Sequence, residues 1–133
     1  MSTLHIPFRH DHVGSFLRPA RLKDARNRYE AGSISAEQLK QIEDEEIAAL
    51  IEKQKQAGCL VITDGEFRRS YWHLDFMWGF QGIQKIELDH GYFFHGEETT
   101  PGSIEVIGKI SGEDHPFVEH FRFVKQFEEE GIV

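Results

Sequence analysis

Residues 58–69 constrain the fold of this chain more than any other segment. An aliphatic run, Leu60, Val61 and Ile62, lies between two glycines and is followed at once by charged residues. An apolar run without polar alternation is typical of a parallel strand that helices cover on both faces. Ligands bind at the carboxyl ends of such strands, so the loop containing Asp64 and Glu66 is a candidate site. A solvated turn is the alternative interpretation of the same charges.

Composition narrows the classes of protein that this chain can belong to. Its 133 residues suit one ordinary domain, and 39% hydrophobic with 29% charged residues is typical of a soluble globular protein. A formal net charge of −8 argues against nucleic-acid or anionic-membrane partners, which require a basic surface. No apolar run approaches the roughly 20 residues of a membrane span. A single cysteine, Cys59, cannot form an internal disulfide, so we expect a cytoplasmic protein in which this thiol is a core residue.

Two helices are predicted before the apolar run. Residues 19–31 begin with Pro19 and stop at Gly32, and the arginines of this helix are expected to face largely outward. Ser35 and Gln38 have the spacing of a capping box, which starts a second helix that closes near Gly58.

Two carboxylates lie within the apolar face of the second predicted helix. Projected at 100° per residue, Glu43 and Glu46 fall among its aliphatic side chains. A buried carboxylate needs a partner, and we favour an ion pair with an arginine of the first helix or with Arg68 or Arg69. A direct role in a site is the alternative.

Residues 8–15 predict a short strand that ends in Gly14 and Ser15. Backbone N–H groups and a hydroxyl at a strand end suit a carboxylate or an amino acid. His10 and His12 share one face of this strand, but no third ligand is near, so we expect ordinary histidines and no metal site.

The second half of the chain changes character. The aromatic residues of segment 70–80 suit either the wall of a pocket for a flat ligand such as a pterin or a small core. Residues 82–112 alternate between apolar and polar, with a turn expected at Pro101 and Gly102, which predicts an inserted antiparallel hairpin or small meander. A last helix is expected from Pro116, and residues 132–133 look like the stub of another strand, so the chain looks incomplete.

Two motifs together point to a known family. Residues 12–19, His-Val-Gly-Ser-Phe-Leu-Arg-Pro, and residues 61–69, Val-Ile-Thr-Asp-Gly-Glu-Phe-Arg-Arg, resemble the amino-terminal part of the cobalamin-independent methionine synthases, above all the short single-barrel bacterial members. The resemblance covers nearly the whole chain from about residue 8. It implies a (β/α)8 barrel that transfers a methyl group from methyltetrahydrofolate to homocysteine, whose thiolate is held on zinc.

The resemblance also implies roles for individual residues. Gly14 and Ser15 match the positions that hold the homocysteine carboxylate, Glu66 matches the partner of its ammonium group, and Asp64 matches a supporting position. The zinc ligands of the family lie in the carboxyl-terminal half of the barrel, downstream of this chain, and Cys59 cannot replace them. No catalytic residue is therefore expected within these 133 residues.

The expected fold is the amino-terminal part of a (β/α)8 TIM-type barrel. Residues 1–133 would form a truncated domain with two complete strands, helices, the hairpin inserted at residues 82–112 and a stub of the third strand. Its open strand edges would favour association with another copy of the chain.

The leading functional hypothesis is a 5-methyltetrahydropteroyltriglutamate–homocysteine S-methyltransferase of which this chain carries only the amino-acid-binding part. One alternative is a related zinc alkyltransferase that acts on another thiol, or a decarboxylase of the same barrel superfamily. The other is a catalytically inactive binding or assembly module. The parent family consists of enzymes, whereas the isolated chain is expected to be inactive.

Overall fold

The computed structural model describes residues 12–128. The start of the first predicted strand and the predicted strand stub at residues 132–133 lie outside the described residues. The chain divides into two units, one comprising the residues up to Arg68 and from Phe121 onward, the other comprising Arg69–His120. Helices α1 (Ala20–Glu30) and α2 (Ala36–Gln56) belong to the first unit, and α4 (Pro116–Lys125) begins in the second unit and ends in the first.

The first two helices begin and end where local sequence signals place them. Pro19 precedes α1, and Gly32 follows it with a left-handed φ of 73°. At the start of α2 the capping box is complete, because Gln38 N–H donates to Ser35 Oγ at 3.1 Å and Ser35 N–H donates to the Gln38 side chain at 2.9 Å. Gly58 ends α2 with a φ of 83°. None of the helices among residues 12–128 has the length and hydropathy to cross a membrane.

The core of the first unit packs both helices against the segment that follows α2. Ile62 and Phe67, which flank the charged loop, are 4% and 2% exposed. Burying side chains of this size contributes roughly 1.5–3 kcal/mol each, so the loop is anchored at both ends. The other buried members of this cluster are Leu22, Ile47, Ile51 and Val124.

The strand predicted at residues 60–62 does not form as predicted. Val61 makes only an isolated bridge, and Leu60 is 51% exposed whereas Ile62 is buried. Residues 12–15 likewise form no strand. A parallel strand is defined by hydrogen-bonded neighbours, and within the described residues the only sheets are two antiparallel pairs. The described fold is therefore mixed α/β.

The second unit is built on a long antiparallel pair. Strands β1 (Gln81–Glu87) and β4 (Gly102–Ser111) pair with a bulge near Ile83, in agreement with the alternating pattern of this segment. Between them, β2 (Phe93–Phe94) and β3 (Glu97–Glu98) form a second short pair. The tight turn lies at His95 and Gly96, whose φ values are 49° and 85°, and not at Pro101 and Gly102, where β4 begins. Two successive positive φ values match the twist of a hairpin.

Aromatic residues of the second unit pack around a buried histidine. Short helix α3 (Leu74–Trp78) contributes Phe76, whose carbonyl oxygen is 2.8 Å from His115 Nε2. Phe117 N–H donates to His115 Nδ1 at 3.1 Å, so the neutral ring carries its proton on Nε2. Phe80 and Phe117 also contact this ring, whereas Trp72 is 69% exposed. The phenylalanines of the aromatic segment therefore contribute to a small core around His115.

Candidate functional site

The structure brings together the two segments that carry the predicted site residues. Phe16 N–H donates to the Gly65 carbonyl oxygen at 3.1 Å, and Arg18 Nη2 donates to the Glu66 carbonyl oxygen at 3.0 Å. Gly14 and Ser15 are exposed on the first segment, and Asp64 and Glu66 are partly buried on the second. The backbones that present the four predicted residues are thus tied together.

Residues 63–67 form a turn that is held by its own side chains. Glu66 N–H donates to Asp64 Oδ1 at 2.9 Å, and Gly65 N–H donates to Thr63 Oγ1 at 3.0 Å. Phe67 N–H closes the turn on the Asp64 carbonyl oxygen at 3.3 Å. Such side-chain bonds to the backbone two residues on are what Asp and Thr supply in turns. Asp64 therefore acts on the conformation of Glu66.

Glu66 has an unusual backbone conformation. Its φ is +59°, and that of Gly65 is +64°. A left-handed conformation costs a residue with a Cβ about 1–2 kcal/mol, and it persists where surrounding contacts impose it. Strain of this kind concentrates at binding and catalytic sites, so the outlier itself marks Glu66 as a functional candidate.

Gln54 of α2 holds the beginning of the turn. Its Nε2 donates to the Thr63 carbonyl oxygen at 2.8 Å, and Thr63 N–H donates to its Oε1 at 3.0 Å. The side chain is 4% exposed. Gln54 was not among the residues predicted for the site. The available signal was its position seven residues after Ile47 and three after Ile51, which places an amide within the apolar face of the helix.

Arg26 of α1 holds the end of the turn by donating to the Phe67 carbonyl oxygen. The prediction that the arginines of this helix face outward is wrong for this residue. Arg21 and Arg28 have exposed side chains, at 54% and 53%, but that of Arg26 is only 18% exposed. Arg26 lies one turn after the fully buried Leu22, so it shares the packed side of the helix.

The turn is followed by a buried charge cluster. Arg68 pairs with Glu43 at 3.2 Å and with Asp44, and its side chain is 4% exposed. Arg26 lies 3.9 Å from Glu43, and on the outer side Arg21 pairs with Glu46 at 3.1 Å. The predicted pairing of both α2 carboxylates with arginines is confirmed.

The two neighbouring carboxylates of this cluster have opposite pKa shifts. Burial raises the pKa of Glu43, and the charges of Arg68 and Arg26 oppose the shift without cancelling it. For Asp44 burial also acts to raise the pKa, but hydrogen bonds from Lys40 and Arg68 outweigh it and leave the pKa lowered. Glu43 is therefore the carboxyl that takes up a proton more readily.

On acidification we expect Glu43 to be protonated before Asp44, although an ordinary Glu and Asp titrate close together. Asp44 then contributes stability above its unfolded pKa, near 4, which is lost as the pH falls through its lower folded pKa. The contribution of Glu43 to stability depends on pH in the opposite direction. It is present below the unfolded pKa of Glu43 and is lost as the pH rises through its higher folded pKa. Carboxyl ¹³C shifts followed against pH measure both values. A higher pKa for Asp44 than for Glu43 would contradict the structure.

The described residues do not form a zinc site. Within residues 12–128 no three His, Cys, Asp or Glu side chains are grouped so that they could hold a metal ion. Cys59 is a partly buried free thiol. The described residues therefore lack the set of side chains that would hold the zinc ion implied by the resemblance.

The fold and the turn define a mixed α/β protein whose first unit presents a strained, charged turn beside an exposed Gly-Ser segment. Residues 8–100 match the family model described as the cobalamin-independent synthase catalytic domain. The chain belongs to this family.

Individual relatives agree with this membership. The Bacillus subtilis protein YxjH, itself uncharacterized, is 46% identical over 120 residues, which cover 90% of this chain and 32% of that protein. A Saccharolobus solfataricus methionine synthase is 30% identical over 118 residues, which cover 85% of this chain and 33% of that protein. The chain also superposes on the crystal structure of a candidate vitamin-B12-independent methionine synthase from Listeria monocytogenes, with a TM-score of 0.76 and 39% identity. The superposition covers 97% of this chain and 35% of the Listeria chain. The chain thus spans about a third of the length of these relatives.

Proposed function

We propose that this chain carries the homocysteine-binding part of a cobalamin-independent methyltransferase of methionine synthesis, built as part of a (β/α)8 barrel. The observation that supports this most is the hydrogen bond from Phe16 N–H to the Gly65 carbonyl oxygen at 3.1 Å. It joins the exposed Gly14 and Ser15 segment to the turn that presents Glu66.

The chemistry of the two segments complements the two charged groups of an amino acid. Ser15 offers a hydroxyl and the backbone offers N–H donors, which suit the carboxylate of the ligand. Glu66 offers only acceptors when ionised, which suits the ammonium group. Asp64 supports this arrangement by accepting a hydrogen bond from Glu66 N–H within the turn. In this proposal the chain binds and orients homocysteine or a similar small thiol amino acid.

The chemical step belongs to other residues. We propose that the zinc ligands and the site for methyltetrahydrofolate lie in the remainder of a longer protein, since the chain spans 33% of the Saccharolobus methionine synthase. Zinc supplies a Lewis acid that lowers the pKa of a thiol. A cytoplasmic location and association of copies through open strand edges remain predictions.

Titration of the ¹⁵N-labelled chain with L-homocysteine, under a phosphine reductant that keeps Cys59 reduced, tests the proposal. We expect shifts of the Gly14, Ser15 and Glu66 amides. Glu66→Gln removes the charge and is expected to weaken binding about 30-fold, which corresponds to about 2 kcal/mol for a charge-assisted hydrogen bond. The same variant should bind 4-mercaptobutyrate, which lacks the ammonium group, as well as the wild type does.

Glu30→Gln is the matched control, because Glu30 is an exposed carboxylate at the end of α1. It should leave the affinity for homocysteine unchanged. Failure of the wild-type chain to bind homocysteine would contradict the proposed function. Equal affinities of the wild type and Glu66→Gln would remove Glu66 from the site.

A further inference from the structure

We infer that Gln54 is a positioning residue for Glu66, and that it determines whether the site recognises the ammonium group of its ligand. The inference rests on the proposed function. Gln54 holds the backbone of Thr63, and the turn that begins there directs Glu66. Gln54 itself is not expected to touch the ligand, because its side chain is 4% exposed and bonded within the protein.

The contacts of Gln54 concentrate on the turn. Both ends of its amide bond to the Thr63 backbone, at 2.8 and 3.0 Å, and a longer contact of 3.5 Å reaches the Leu50 carbonyl oxygen in its own helix. Burying an amide is costly unless both ends are hydrogen-bonded, and a leucine would suit this side of α2 better for packing alone. An amide is therefore needed at this position because it bonds both the N–H and the carbonyl oxygen of Thr63.

Further hydrogen bonds connect Thr63 to Glu66 along the turn. Thr63 Oγ1 accepts from Gly65 N–H, and Asp64 Oδ1 accepts from Glu66 N–H, at 3.0 and 2.9 Å. These bonds support the left-handed φ of +59° at Glu66. Since a left-handed glutamate is strained, release of Thr63 lets Glu66 relax toward negative φ. Its carboxylate then leaves the position that it occupies in this turn.

A purely structural role for Gln54 makes a different prediction. If Gln54 only stabilises the fold, its loss affects every ligand of the site to the same degree. If it acts through Glu66, its loss affects ligands that carry an ammonium group and spares those that lack one. The ratio of affinities for L-homocysteine and 4-mercaptobutyrate separates the two roles.

The experiment measures both affinities on the 133-residue chain carrying Gln54→Leu, Gln54→Glu or Glu66→Gln. Gln54→Leu is expected to bind homocysteine about tenfold more weakly and 4-mercaptobutyrate within twofold of the wild type. Gln54→Glu keeps the acceptor for Thr63 N–H but loses the donor to the Thr63 carbonyl, so an intermediate loss is expected. Combining Gln54→Leu with Glu66→Gln should cause no further loss beyond that of Glu66→Gln alone.

Equal losses for the two ligands, or additive losses in the double variant, would overturn the inference. If the amide spectrum of Gln54→Leu shows that it does not fold, Gln54→Glu carries the test, because it removes the donor to the Thr63 carbonyl oxygen and keeps the acceptor for Thr63 N–H. The same selective loss is then expected. Failure of the wild type to bind homocysteine contradicts the proposed function, and a Glu66→Gln variant that does not distinguish the ligands removes Glu66 from the site. Selectivity in Glu66→Gln alone contradicts only the role of Gln54.

Discussion

Replacing Arg68 with methionine is expected to lower the free energy of unfolding by about 3–5 kcal/mol, the usual cost of removing one partner from a buried ion pair. The side chains of Arg68 and Glu43 are 4% and 12% exposed, so water cannot replace the lost charge. Glu43 would keep Arg26 at 3.9 Å, which is too far for a hydrogen bond. Methionine matches only the aliphatic part of the arginine side chain, so the loss reports on the charge together with the hydrogen bonds of the guanidinium group and its contact with the Phe123 ring.

Urea unfolding followed by circular dichroism measures this effect, because α2 is the longest helix described. Arg21→Met is the matched control: its partners are also on α2, but its side chain is 54% exposed and water screens the pair, so a much smaller loss is expected. Adding Glu43→Gln to Arg68→Met should restore part of the stability, since it removes the uncompensated charge. A loss no larger than that of Arg21→Met would show that the buried cluster does not stabilise the fold.

Gly65→Ala is expected to be the other large effect, at about 2–4 kcal/mol of lost stability. A Cβ on Gly65 would lie 2.5 Å from Leu50 Cδ2 and 3.1 Å from Phe16 Cδ2. The φ of +64° adds backbone strain for any residue with a side chain. The same substitution pushes on Phe16, so it should also loosen the hydrogen bond that joins the two segments of the proposed site.

Gly58→Ala separates the two causes. Its φ of +83° is also left-handed, but no atom lies within 4 Å of the added Cβ. Only the backbone strain of about 1–2 kcal/mol is then expected. Urea unfolding of both variants gives the difference, which isolates the contact with Leu50 and Phe16. Equal losses would mean that Gly65 does not mediate close packing between α2 and the turn.

The helices of this chain were predictable because their signals are local. Ser35 and Gln38 satisfy each other three residues apart, and a glycine with positive φ follows each of the first two helices. Pairing of Glu43 and Glu46 with arginines was predictable for a related reason. Periodicity alone placed them among buried side chains, and a buried carboxylate requires a cation.

Features that depend on distant neighbours were predicted less well. The run at residues 60–62 has the composition of a buried strand, but a strand exists only where another pairs with it, and Leu60 is exposed. The hairpin turn was placed at Pro101 by composition, whereas His95 adopts the positive φ that the short β2–β3 pair requires. The arginines of α1 were predicted to face largely outward, and Arg26 does not, because helical projection does not show which carbonyl group lies opposite a side chain.

The sequence by itself determined the helices, the demand for ion pairs on α2 and, through the motifs at residues 12–19 and 61–69, the family. Only the tertiary structure showed that Phe16 bonds to Gly65, that Gln54 holds Thr63 and that Glu66 is left-handed. The physical reason is the range of the interactions. Caps and periodicity join residues within a few positions, whereas the contacts that bring the candidate site together join residues 9 to 49 positions apart, a separation that local pattern does not encode.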